Sequence, residues 1–316
     1  MEIIKSINDT HAFTIEKEKI IGIINWFLSN LPRVTPDKVM MRIKKLSKYS
    51  KMIDFIQQIK LRNETLFYFG LVCLLLSVVF LLPTKITTVQ VYHVNAWYKP
   101  FKFAFSTFLF AWAMDWYCYY LPNFNIHLFN WSVIILLGFE IFYIAFQASK
   151  GQLSHYNLST PTYSALYSMM ALAATLVTLY TAYVGILFFK NDFPALPIYY
   201  LWAIRLGIII FVIFSFEGFA MGARLNHSVG ALNDNSNWLI IGWSKTVGDL
   251  RVAHFIGMHA LQVLPLLSYY VFKNTKLTIG LTVMYGLLAM LTLIQALQGK
   301  PLMRGSKVEK EVSGTI

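Results

Sequence analysis

VGDLRVAHFIGMHALQVLPLLSYYVF, residues 247–272, sets ionisable side chains directly against an apolar run. A Gly-Asp pair opens the stretch, and Arg251, His254 and His259 follow within about three helical turns. The apolar remainder, interrupted by Pro265, has the length of a membrane-crossing helix. Charged and imidazole groups are costly at the mouth of such a helix, so they mark candidate functional positions. The stretch therefore decides both the fold class, a polytopic transmembrane helix bundle, and where its site is to be sought.

The remainder of the 316-residue chain agrees, with 57% hydrophobic, 16% aromatic and 13% charged residues. Soluble domains carry roughly 25% charged residues. Apolar runs recur at about 65–83, 103–121, 131–148, 165–189, 199–222, 252–272 and 277–298, predicting seven helical spans. Continuous runs without strict alternation exclude a β-barrel. The net charge of +12 does not indicate nucleic acid, because the basic residues lie in the N-terminal stretch, the loops and the tail. There they suit lipid headgroups and topology. Cys73 and Cys118 both fall inside apolar runs, as small core residues rather than a disulfide. The first strong run begins near residue 65, so no cleavable signal peptide is expected.

Three segments flank the spans or divide them. Residues 1–62 carry 12 Lys/Arg and 6 acids, with Ile20, Ile24, Phe27 and Leu31 at helical spacing. Thr35-Pro36-Asp37 starts a second amphipathic helix, so a basic helical module of residues 1–62 is expected before the bundle of 63–300 and the basic tail of 301–316. Residues 84–102, with Trp97, Tyr98, Lys99 and Lys102, have the composition of an interfacial belt. The longest loop, 223–251, contains WLIIGW (238–243), too short to span, which either dips into the membrane or covers a cavity.

Seven spans put His93, His155, His227, His254 and His259, five of the seven histidines, on one side of the bundle. Trp97, Lys150, Arg224, Asp249 and Arg251 join them. Lysines and arginines in the short loops place this side in the cytoplasm, whereas a long N-terminal module without a signal places it outside. The two signals oppose each other, and orientation stays open. A bacterial inner membrane is the expected location.

Inside the spans, Glu140, Tyr143 and Gln147 share one helix face. Glu140 is either a neutral packing residue or part of a proton or metal site. Glu217 has Arg224 seven residues on, as a partner on its own face, and Gly218 and Gly222 beside it for close helix approach. Asp249 reads as a helix N-cap. His254 and His259 are five apart, about 140° around a helix, unlike the usual chelating pair four apart. A single-turn bulge between them would bring them together. Pro265 removes one backbone bond and frees the carbonyl of Leu261.

GDLRVAHFIGMHALQVLP (248–265) and EIFYIAFQASKGQLSHYNLSTP (140–161) resemble segments of uncharacterised bacterial integral membrane proteins, a likeness that carries no activity. The chain is also similar in outline to the seven-span hydrolases that include alkaline ceramidases and adiponectin receptors. That likeness implies a three-histidine zinc site, but this chain's pair is five apart and lies in the penultimate span. Three functions are compatible with these residues. One is an enzyme in which His155, His254 and His259 hold zinc or haem, with Glu140, Glu217, Asp249 and Arg251 catalytic, acting on a lipid-like substrate. A second is a proton-coupled or small-solute transporter. The third is a structural or assembly protein, in which Thr175, Thr178, Thr282 and Thr292 bond between helices. Missing phosphate loops, CxxC pairs and nucleophile elbows argue against ATP hydrolysis and dithiol chemistry.

Overall fold

Apolar runs of about 20 residues satisfy their own backbone only as helices, and a computed structural model of the chain is built from them. It describes Gly22, Trp26 and residues 52–230, 237–238 and 240–303. The helix predicted from Thr35 and the basic tail beyond residue 303 lie outside the described residues. The chain divides into two compact units, Met1–Gln58 and Ile59–Ile316. In the second unit the helices are α1 (Glu64–Leu81), α2 (Pro83–Ile86), α3 (Tyr98–Cys118), α4 (Ile126–Ser149), α5 (Pro161–Lys190), α6 (Ile198–Arg224), α7 (Arg251–Leu267) and α8 (Thr275–Leu297). Two short antiparallel pairs, β1–β2 (Gln90–Val91 with Val94–Asn95) and β3–β4 (Ser228–Val229 with Gly248–Asp249), cross the loops.

Among the described residues, six segments are long and apolar enough to cross a membrane: Glu64–Ile86, α4, α5, α6, Arg251–Phe272 and α8. The expected second span, α3, has 21 residues but falls outside this set, because Lys99, Lys102, Asp115 and its polar aromatics dilute the apolar run. Local chemistry fixes the helix starts. Asn63, Asn125, Thr160 and Asn274 each accept a backbone N–H with their side chain, and Pro161 occupies the first turn of α5.

Chain neighbours pack against one another, and α7 also reaches α3 and closes the bundle. The main core lies among α3 to α7, with Met114, Phe129, Phe188, Ile204 and Leu261 fully buried. Cys73 and Cys118 are buried and unpaired. Thr175, Thr178, Thr282 and Thr292 donate to carbonyls of their own helices rather than bonding between helices.

The carbonyl freed by Pro265 has a dedicated partner, since the buried Tyr117 hydroxyl on α3 donates to Leu261 O at 2.7 Å. The ladder slackens just beyond the proline, in a π-helical turn at Ser268–Phe272. The bulge therefore lies after Pro265 and not between His254 and His259. Ser268 sits in that turn and bonds Tyr199 O and Thr278 Oγ1, pinning α6, α7 and α8 together.

Tyr117→Phe leaves a buried carbonyl unsatisfied and should cost about 1–2 kcal/mol. Adding Pro265→Ala supplies a new N–H to the same carbonyl and should recover part of that loss. Thermal unfolding of the two single variants and the double variant in detergent measures the coupling.

Candidate functional site

The histidine side of the bundle is held together by one charge pair. Asp249 accepts Arg251 Nε at 2.9 Å and Arg251 Nη2 at 2.6 Å, and also the backbone N–H groups of Ser244 and Arg251. Leu250 holds the N-cap position of α7 without a side-chain bond, while Asp249 takes the N–H of the first helical residue, Arg251, and aims its guanidinium. Gly248 lets this segment lie against the end of α8, where a side chain would run into the Ala296 carbonyl. Burial pushes the Asp249 carboxyl up, but the hydrogen bonds and charge of Arg251, with help from His227 and Ser244 N–H, hold it below the usual range.

At this end Asn237 is bridged to Ser244, and Trp238 N–H is bonded to Trp243 O at 2.9 Å. Two cations tie this loop down: Lys102 Nζ donates to Ile241 O at 2.7 Å, and Arg251 donates to Gly242 O. Asn237 donates to Tyr92 O on the β1–β2 turn. WLIIGW is therefore a cover, in keeping with its length.

Beneath it, side chains converge from five elements. His155, in the loop between α4 and α5, has Nδ1 3.1 Å from Lys99 Nζ and 3.2 Å from Ser154 Oγ. Phe103, Tyr156 and Tyr167 surround its ring. Burial, then the charges of Lys99 and His254, push the His155 pKa well below its usual value. His155 is thus neutral, with Nδ1 accepting. Tyr156 adopts φ 61°, a left-handed conformation costly for a tyrosine, which turns the loop inward here.

Across the site, His254 on α7 directs Nδ1 at Phe214 O (2.7 Å) and at Glu217 Oε2 (3.4 Å) on α6. Donation to the carbonyl places a proton on Nδ1 and leaves Nε2 free to accept. Glu217 is nearly buried and makes no hydrogen bond among the described residues. Its neighbour is His254 Nδ1, not Arg224, which is exposed. Gly218 and Gly222 admit two different neighbours, since His254 Cε1 lies 3.4 Å and Tyr167 Oη 3.3 Å from where their side chains would begin. Burial and the Tyr167 hydroxyl push the Tyr156 phenol up, and Glu217 and Arg251 also act on it, so both ends of the site share one electrostatic volume. His227 joins from above, driven down to about 3 by burial and then Arg251, against the pull of Asp249.

Glu140, Tyr143 and Gln147 are all buried on one face of α4. Gln147 spends its amide on Tyr143 Oη and Leu153 O, a structural role at the loop entrance. Glu140 interacts with the Lys99 charge. His259 has the Phe255 ring 4.4 Å from its own and interacts with Gln262 and His254. Among the described residues no three His, Cys, Asp or Glu side chains come together as a group able to hold a metal ion. Lys99, Lys102, Tyr156 and Tyr167 complete the site instead, reached from residues read in the sequence only as belt and loop.

No family model, no curated protein and no solved structure matches the chain.

The two buried loop histidines make stability depend on pH. A histidine held neutral in the fold, with its folded pKa below the unfolded value near 6.5, loses stabilisation as pH falls through that unfolded value. Asp249 adds the same sign lower down, since its carboxylate state is the stabilised one. Unfolding midpoints should fall on acidification below about pH 6.5. His155→Gln/His227→Gln should flatten that decline above pH ~4, where Asp249 begins to titrate. Thermal melts across this range in detergent check both.

Proposed function

We propose that the chain is an integral membrane enzyme, resident in a bacterial inner membrane, that performs acid–base chemistry on a lipid-like substrate at the histidine-side face. The reading is carried by the His254 arrangement. Its Nδ1–H is fixed by Phe214 O beside a buried Glu217 carboxylate, and its Nε2 is left as a base. Arg251, aimed by Asp249, and Lys102 supply positive potential for a polar headgroup under the 237–244 cover.

One observation favours a second reading, a proton-coupled transporter. Asp115 on α3 is completely buried, and neither of its oxygens has a hydrogen-bond partner among the described residues. Arg62, the cation acting on it, lies 3.6 Å from the Trp116 ring centre instead. A carboxyl so placed is a candidate proton carrier.

Purified chain in lipid nanodiscs, supplied with a bacterial lipid extract and followed by mass spectrometry, tests the first reading. Conversion of a lipid species is expected, and His254→Gln should slow it by about 10²–10⁴-fold. Glu217→Gln should have a smaller effect. No lipid conversion, together with solute flux in proteoliposomes that Asp115→Asn abolishes, would replace the enzyme with the transporter. A stoichiometric metal that is lost in His254→Gln would overturn the ion-free mechanism.

A further inference from the structure

Lys99 stands out among the charged groups of the histidine side because its nearest partner is not an acid. Its Nζ lies 3.1 Å from His155 Nδ1, and its flank is the Phe103 ring, 5.9 Å away. The two other cations of the site, Arg251 and Lys102, are committed to Asp249 and to the carbonyls of Gly242 and Ile241. Glu140 is the acid whose charge reaches Lys99. An amine held beside a neutral imidazole and near other cations is a nucleophile rather than an ion-pair partner.

We propose that Lys99 is a covalent site whose amine condenses with the carbonyl carbon of an amphipathic aldehyde or ketone. His155 Nδ1 takes a proton from the ammonium, and the free amine adds to the carbonyl carbon. A C–N bond forms as the C=O π pair moves to oxygen. A proton passes from nitrogen to that oxygen, giving a carbinolamine. The nitrogen lone pair then expels the hydroxyl, which leaves as water with the proton returned by His155. The product is a protonated imine, with one water released and no oxidant or reductant consumed. Glu140 is the counter-charge for the iminium.

Two further observations support this assignment. Lys99 belongs to the interfacial belt ahead of the apolar run that starts at residue 103, and burial, then Arg251 and Lys102, lower its pKa to about 7. A groove of about 420 Å³ lined by Leu82, Lys85, Ile86, Tyr98 and Ile240 opens on the same face. Its lining includes Tyr98, next in sequence to Lys99, and Ile240, next to the residue whose carbonyl holds Lys102. The proposal rests on this geometry and not on turnover at His254.

The experiment treats the purified full chain in detergent with decanal and sodium cyanoborohydride near neutral pH, then maps adducts by peptide mass spectrometry. Lys99 should acquire the alkyl group at least roughly ten-fold faster than the exposed Lys190 and Lys273. His155→Gln should slow labelling of Lys99 alone, leaving the two controls unchanged. Labelling of Lys99 no faster than the controls in the unmutated chain would overturn the proposal, whatever the variant's folding. Lipid conversion that persists when Lys99 fails to label would leave the acid–base reading standing and remove only the covalent site.

Discussion

Moving an unpaired ion from water into hydrocarbon costs several kcal/mol, and this constraint dictates where the chain keeps its charges. The lipid-facing surfaces of the helices are apolar, and Leu75, Phe142, Met284 and Leu291 lie exposed on them. Ionisable groups from α3, α6, α7 and two loops are drawn to one end instead. There, Asp249 holds Arg251, Glu217 faces His254, and Lys99 meets His155. Each pairing joins elements far apart in sequence or turns a short loop back on itself. The site is therefore what remains when a bundle concentrates its polar groups where they can be solvated or paired.

The helices follow from the sequence because the requirement behind them is local. A run of apolar residues long enough to cross hydrocarbon must satisfy its own N–H and C=O groups, which leaves only the helix. The same locality makes the freed Leu261 carbonyl readable from Pro265, and the shared face of Glu140, Tyr143 and Gln147 readable from their spacing. Where polar residues interrupt the run, as in α3, length still gives the helix but apolarity no longer marks it as a span.

The site is harder to read because helical spacing says which face a residue occupies, not what stands opposite. Glu217 and Arg224 share a face, yet the partner of Glu217 comes from α7. Asp249 precedes a helix and looks like a cap, but only the folded loop reveals its two-pronged grip on Arg251. Lys99 sits in a Trp-Tyr-Lys-Pro sequence that any membrane interface would favour, and its contact with His155 spans 56 positions. The grouping of histidines on one side survives because it needs only the alternation of helix direction. The bulge that would have brought His254 and His259 together is not between them, because the slack in the ladder lies beyond the proline.

The cover over the site is fastened in an unusual way. Lys102 and Arg251 both end on main-chain oxygens, those of Ile241 and Gly242, rather than on side chains. Such a latch reads backbone shape and is blind to residue identity. Trp238, Ile240 and Ile241 can therefore drift toward different lipids or ligands while the fastening stays intact, so that selectivity and closure can evolve separately.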